Sequence, residues 1–199
     1  MVDITLVFGT RPEAIKMAPI IHSLRSSTDI KYKIVLTGQH KEMAVGILDW
    51  FNITPDINLD VMEKNQTLSS LTSRAINLLD EYFKKFPTKI VIVQGDTTSA
   101  LVAALVGFYH KFKIAHVEAG LRTGNNLSPW PEEVNRKLIC QIANYHFAPT
   151  KSNKTFLLNE NIKPEQIIET GNTVIDALKF SINKVKQLNI HPSILEEFY

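Results

Sequence analysis

Three acidic residues stand directly after apolar runs or a proline-rich turn, where side chains of a parallel sheet meet ligands. They are Asp96 in Gly95-Asp96-Thr97-Thr98-Ser99, Glu118 in Glu118-Ala119-Gly120-Leu121-Arg122-Thr123-Gly124, and Glu132 in Ser128-Pro129-Trp130-Pro131-Glu132-Glu133-Val134-Asn135-Arg136. Two cations, Arg11 and Lys16, lie in Phe8-Gly9-Thr10-Arg11-Pro12-Glu13-Ala14-Ile15-Lys16-Met17-Ala18-Pro19. Carboxylates in unlike surroundings move protons, and cations hold anionic, phosphorylated substrates. The set as a whole predicts acid/base work on such a substrate.

Each member also has a plainer reading. Asp96 is placed to cap a helix or close a turn, which on spacing alone is favoured. A glutamate closing an apolar strand is less usual, and if buried it needs a partner, for which Arg122 is a candidate. Glu132 and Glu133 fall in a first helical turn, where the helix dipole favours acids, and Glu132 can pair with Arg136 four residues on. Thr10 and Glu13 have capping-box spacing and Pro12 suits a first turn, so Arg11 and Lys16 lie near a helix amino terminus that could hold a diphosphate, or are two solvated cations. The segment is neither the G-x-G-x-x-G dinucleotide fingerprint nor a G-K-[ST] phosphate loop.

The elements that must carry these residues are legible as a rhythm. Short apolar runs at residues 4–8, 33–37, 90–94, 114–117, 145–148 and 166–169 read as strands covered on both faces. Between them, Leu68, Leu71, Ala75, Leu78, Leu79, Tyr82 and Phe86 recur at helical steps, and residues 100–108 are apolar all round, as in a buried helix. Val174, Leu178, Ile182 and Val185 repeat the helical step near the end. This alternation predicts an α/β, Rossmann-like parallel sheet with helices on both faces. Residues 52–65 read as a crossover with a short extra strand at 57–61. Ligands of such a sheet bind at the carboxyl ends of the strands, where all five candidate residues map.

The bulk properties narrow the class. The 199 residues suit one large domain, 1–188, with 189–199 as a linker or tail, and 44% hydrophobic residues can build a core. A net charge of +2, from 22 basic and 20 acidic residues, argues against a nucleic-acid surface. The local pair Lys84 and Lys85 reads as a helix-end feature. A single cysteine, Cys140, excludes an intrachain disulfide, and no Cys/His pattern has zinc spacing. No run is long enough to span a membrane, and no signal sequence opens the chain, so a cytoplasmic location is expected.

The quoted motifs, together with Gly171-Asn172-Thr173-Val174-Ile175-Asp176-Ala177, resemble in order those of non-hydrolysing UDP-N-acetylglucosamine 2-epimerases, from residue 4 to about residue 180. The resemblance implies the amino-terminal domain of a GT-B architecture, with the second domain absent from this chain. It implies interconversion of UDP-N-acetylglucosamine and UDP-N-acetylmannosamine for cell-surface polysaccharide synthesis, by elimination and re-addition of UDP, without nicotinamide or metal. It implies a UDP-sugar substrate, a homodimer, and neither nucleic acid nor membrane as partner. By the same resemblance Asp96, Glu118 and Glu132 are the acid/base residues. Arg11, Lys16, Asp96, Glu118 and Arg136 contact substrate, Arg136 also supporting the carboxylates. Gln39 and Gln66 stand where some members bind an activating second UDP-sugar, although Glu42 and Asn65 depart from that pattern. Two other outcomes stay open: a non-catalytic module for dimerisation or partner binding, and a sugar-transferring GT-B half.

Overall fold

A computed structural model describes residues 2–38 and 41–188, without the side chains of residues 41–45. The strands are β1 (Val2–Phe8), β2 (Tyr32–Leu36), β3 (Ile57–Asn58), β4 (Thr88–Gln94), β5 (Lys113–Val117), β6 (Tyr145–Ala148) and β7 (Ile167–Glu169). The helices are α1 (Arg11–Arg25), α2 (Lys41–Trp50), α3 (Leu68–Lys85), α4 (Thr98–Tyr109), α5 (Glu132–Ile142), α6 (Lys151–Asn159) and α7 (Thr173–Gln187). All seven strands are parallel, in the order β3-β2-β1-β4-β5-β6-β7. This is the Rossmann-like fold expected. The chain winds outward in one direction to β3, returns to the centre at β4, and winds the other way. The switch therefore lies between β1 and β4, and the loops leaving these two strands border the crevice where such sheets bind ligands.

Both faces of the sheet are covered, which is why its strands are continuous apolar runs rather than alternating ones. Val7, Val91 and Val93 pack on one side with residues of α3, α4 and α5, while Leu6, Phe8 and Ile92 pack on the other with α1, the end of α2 and α7. In α3 the buried stripe is Leu71, Ala75, Leu79, Tyr82 and Phe83. Phe86 closes that helix and is 45% exposed, so it falls outside the stripe the periodicity assigned it to. Helix α4 is buried over most of its length, but Phe108 and Tyr109 at its end are exposed. Lys84 and Lys85 do close α3, and Lys84 pairs with Asp80 at 2.5 Å.

The extra strand is shorter than the 57–61 expected. After Asn58 the chain turns: the Asp60 N–H donates to the Asn58 side chain at 3.3 Å, and Asp60 has φ +48°. That left-handed residue ends the pleat. The final strand starts at Ile167 because Pro164–Gln166 form a single 3₁₀ turn.

Helix α7 leaves the edge strand β7 and returns to pack on α1. Phe180 stacks on His22 at 4.8 Å between ring centroids and lies 5.3 Å from Phe51. Trp50 Nε1 donates to Ser181 Oγ at 3.0 Å, and the Lys184 ammonium sits 4.9 Å from the Trp50 ring centroid. The side of α7 that docks thus carries Ala177, Phe180, Ser181 and Lys184, while the apolar row Val174, Leu178 and Ile182 faces outward. The residues after 188, expected as a linker or tail, lie outside the described residues.

Candidate active site

The β1–α1 turn is built around Glu13. Its Oε2 accepts the N–H groups of Gly9 at 2.9 Å and Thr10 at 2.7 Å, the acidic half of a capping box. Its Oε1 accepts the Thr97 hydroxyl at 2.6 Å, and Thr97 Oγ1 in turn caps α4 by accepting the Ala100 N–H at 3.0 Å. One fully buried carboxylate therefore ties the first loop of the crevice to the loop carrying Asp96. Burial pushes the Glu13 carboxyl above its ordinary range, against the pull of the Thr97, Gly9 and Thr10 donors. Glu13 also occupies backbone donors that a phosphate would otherwise use at this helix terminus. Arg11 is exposed at the first position of α1 and has no ion pair among the described residues.

Lys16 lies one turn further along α1 and points across the crevice mouth. Its Nζ is 2.5 Å from Glu118 Oε2. Gln94, the buried last residue of β4, donates to the same oxygen at 2.6 Å, and Asn172 donates to Oε1 at 2.9 Å. Glu118 follows β5 with φ +64°. A non-glycine residue in that region costs roughly 1–2 kcal/mol, and such strain persists where the surroundings fix the conformation. Two residues on, Gly120 has φ +86°, and a Cβ there would meet the Asn153 carbonyl carbon at 2.9 Å, so the chain after Glu118 is pressed against α6.

Asp96 follows β4. Its Oδ2 accepts from Arg136 Nε at 2.7 Å and Nη2 at 2.6 Å, and its carbonyl accepts from the Asn135 side chain at 2.8 Å. Burial pushes the Asp96 carboxyl above its ordinary value. The Arg136 guanidinium opposes this, and the charges of Glu132 and Glu118 add to the rise. Asp96 thus lies in the field of both other acids.

Arg136 does not pair with Glu132, the partner suggested by their spacing. It reaches back three residues to Glu133 at 3.0 Å and across to Asp96. Glu133 is fully buried and also accepts the N–H groups of Thr123 at 3.1 Å and Gly124 at 3.3 Å. Burial works to raise the Glu133 carboxyl, but the Thr123 and Gly124 donors and Arg136 outweigh it and hold it below its ordinary value. Of the two neighbouring acids, Glu133 pins the loop. Glu132 has no hydrogen bond or ion pair among the described residues and is only half-buried.

Arg122 is likewise structural, with a different partner from the one considered. It grips Glu160, which caps the end of α6, with Nε at 2.7 Å and Nη2 at 2.6 Å, and Nη2 also lies 3.2 Å from the buried Cys140 sulfur. His116, the penultimate residue of β5, donates from Nε2 to the Gly95 carbonyl at 2.7 Å and so braces the turn before Asp96. Burial brings its pKa down to about 3, so it stays neutral and serves as a strut. Glu13, His116, Gln94 and Asn172 escaped the sequence reading as site residues, because their partners lie 21 to 84 positions away. The capping-box spacing of Glu13 gave a local signal, and Asn172 lies in one of the motifs that carry the resemblance.

Gln66 folds into its own turn, accepting the Glu63 N–H at 3.0 Å and donating to the Met62 sulfur at 2.8 Å. Gln39, its expected companion, lies outside the described residues, as does the side chain of Glu42. Among the described residues no group of three or more His, Cys, Asp or Glu is arranged to hold a metal, and no helix is long and apolar enough to cross a membrane.

Asp96, Glu118 and Glu132, with the exposed Arg11, form a set around the switch point that suits proton transfer on an anionic substrate. Known proteins resemble the chain over most of its length. Residues 22–198 match the family model described as UDP-N-acetylglucosamine 2-epimerase. A UDP-N-acetylglucosamine 2-epimerase of Bacillus subtilis is 50% identical over 176 residues, which is 88% of this chain and 46% of that protein. A crystal structure of the Neisseria meningitidis UDP-GlcNAc 2-epimerase bound to UDP-GlcNAc superposes with a TM-score of 0.90 at 46% identity, over 93% of this chain and 50% of that one. A Staphylococcus aureus MnaA–UDP co-structure matches all of this chain and 51% of its own, with a TM-score of 0.93 at 41% identity. The chain spans about half the length of the relatives it matches.

Proposed function

This chain belongs to the UDP-N-acetylglucosamine 2-epimerase family, and we propose that it supplies the acid/base half of a non-hydrolysing enzyme interconverting UDP-N-acetylglucosamine and UDP-N-acetylmannosamine. The observation that carries this reading is the meeting of Asp96 and Glu118, just after β4 and β5, with Glu132 at the start of α5, the Asp96 carboxyl being raised by burial and by the charges of the other two.

The C2 proton of the sugar has no adjacent carbonyl, so the carbanion left by simple abstraction is poorly stabilised. Elimination avoids this. A carboxylate takes the C2 proton while the C1–O bond breaks, the electron pair forming the C1–C2 double bond as UDP leaves with the bonding pair. In the reverse sense UDP re-adds at C1 and a carboxylic acid delivers a proton to the other face of C2. Such a cycle needs at least two carboxyl groups in different protonation states and a cation for the departing diphosphate. Asp96, whose carboxyl burial raises above its ordinary value, suits one of these groups, and Arg11 suits the diphosphate. Lys16 and Arg136 keep Glu118 and Asp96 in place and can turn to substrate.

The same reading makes the protein a cytoplasmic homodimer serving polysaccharide synthesis, and leaves Gln39 and Gln66 as candidates for an activating UDP-sugar. The test is to combine this chain with the half of the Bacillus subtilis relative that it does not match and to assay UDP-N-acetylmannosamine formed from UDP-N-acetylglucosamine. Turnover supports the reading. A folded, UDP-binding pair without turnover points to a non-catalytic module, and a transferred sugar in place of an epimer points to a transferase.

A further inference from the structure

We propose that Asn172 is a positioning residue for Glu118, a role that rests on reading Glu118 as one of the reacting acids. Asn172 caps α7, its Oδ1 accepting the Val174 N–H at 3.0 Å. Because that N–H can only donate, the orientation of the amide is fixed, and its NH₂ group faces Glu118 Oε1 at 2.9 Å. Aspartate, serine and asparagine cap helices about equally well, but aspartate keeps no donor while capping, and asparagine carries its donor on a second atom, beyond the one that caps. The cap uses the amide oxygen alone, and the amide donor that the helix does not need is spent on the carboxylate.

The contact completes a clamp. Lys16 and Gln94 hold Oε2 from α1 and β4, and Asn172 holds Oε1 from α7. Both oxygens are engaged, so the carboxylate plane is fixed although its backbone sits at φ +64°. Asn172 can do this because α7 is docked on α1 and α2 through Phe180, Ser181 and Lys184. A carboxylate that must present one lone pair to a C–H bond gains rate from such fixed orientation.

The test uses Asn172→Asp and Asn172→Ser, each in the parent and in Glu118→Gln, read by thermal midpoint on this chain and by turnover in the complemented assay. Aspartate keeps the cap but sets a carboxylate against Glu118. We expect N172D to lower the midpoint in the parent and not in E118Q, and to lower turnover more than N172S does. N172S should reduce kcat about tenfold with KM changed less than about twofold, and should cost nothing further in E118Q. Should N172D not fold in the parent, its folding in E118Q and the N172S kinetics still decide. Parental midpoint and turnover for both variants, or equal destabilisation by N172D in both backgrounds, would overturn the proposal. If E118Q itself turns over at the parental rate, the acid role falls, and the midpoint cycle alone decides whether Asn172 holds Glu118.

Discussion

At the scale of single residues, the acids differ in how fully their carboxylates are already engaged. Glu13 and Glu133 are fully enclosed by donors, whereas Glu132 has none among the described residues. Glu132→Gln is therefore expected to leave the unfolding free energy within about 0.5 kcal/mol of the parent. In the complemented assay the same change should lower turnover at least about a hundredfold, the scale of a lost general acid or base. Urea unfolding and a turnover assay check the two halves of that expectation. A second expectation concerns His116, whose folded pKa of about 3 lies well below its ordinary 6.5. The neutral ring is favoured in the fold, so its contribution to stability is present above pH 6.5 and is lost as the pH falls towards 3. Between pH 7.5 and pH 5 the loss amounts to about 2 kcal/mol. His116→Gln removes this dependence, so the stability gap between parent and variant should narrow by that amount over this range. A gap that stays constant contradicts the assignment. Asp96 and Glu118 were legible in the sequence because each ends an apolar strand with an acid. The partner of Arg136 was not: helical spacing selects Glu132, but Asp96, forty positions away, is a better-placed acceptor, and it leaves Glu132 free.

At the scale of elements, six of the seven strands were legible from apolar runs alone, since a strand covered on both faces leaves a continuous hydrophobic signature. The crossover strand came out short because Asp60 takes a left-handed conformation, which no pattern of hydrophobicity encodes. The last helix was legible as a helix but not as to its buried face. Its strongest apolar row, with Leu178 at 56% and Ile182 at 44% exposure, points away from the sheet, and docking is left to Phe180 with polar and cationic neighbours. The loop after Glu118 has a testable constraint of its own. Gly120→Ala brings a methyl group against the Asn153 backbone at a positive φ, so it should cost at least about 2 kcal/mol in urea unfolding. It should also reduce turnover, because Glu118 is two residues away. A loss below about 0.5 kcal/mol would mean that the packing of this loop on α6 does not hold Glu118.

At the scale of the whole molecule, topology assembles the site. The reversal of winding between β1 and β4 brings the loops bearing Arg11, Lys16 and Asp96 together, and β5 adds Glu118 beside them. Sequence reasoning placed these residues on one rim from the general rule for parallel sheets. It could not supply the cross-links between loops, Glu13 to Thr97 and Asn172 to Glu118, which depend on how the elements pack. The chain matches about half the length of its relatives, so its chemistry is best probed with the unmatched half supplied. The most direct measurement is proton exchange at the sugar. UDP-N-acetylglucosamine is incubated in D₂O with this chain and the unmatched half of the Bacillus subtilis relative, and C2 is followed by proton NMR. Elimination and re-addition by the three acids predicts UDP-N-acetylmannosamine carrying deuterium at C2, with the label also entering the remaining substrate and with both signals lost in Glu132→Gln. A folded pair that binds UDP-N-acetylglucosamine but leaves C2 fully protonated would contradict it.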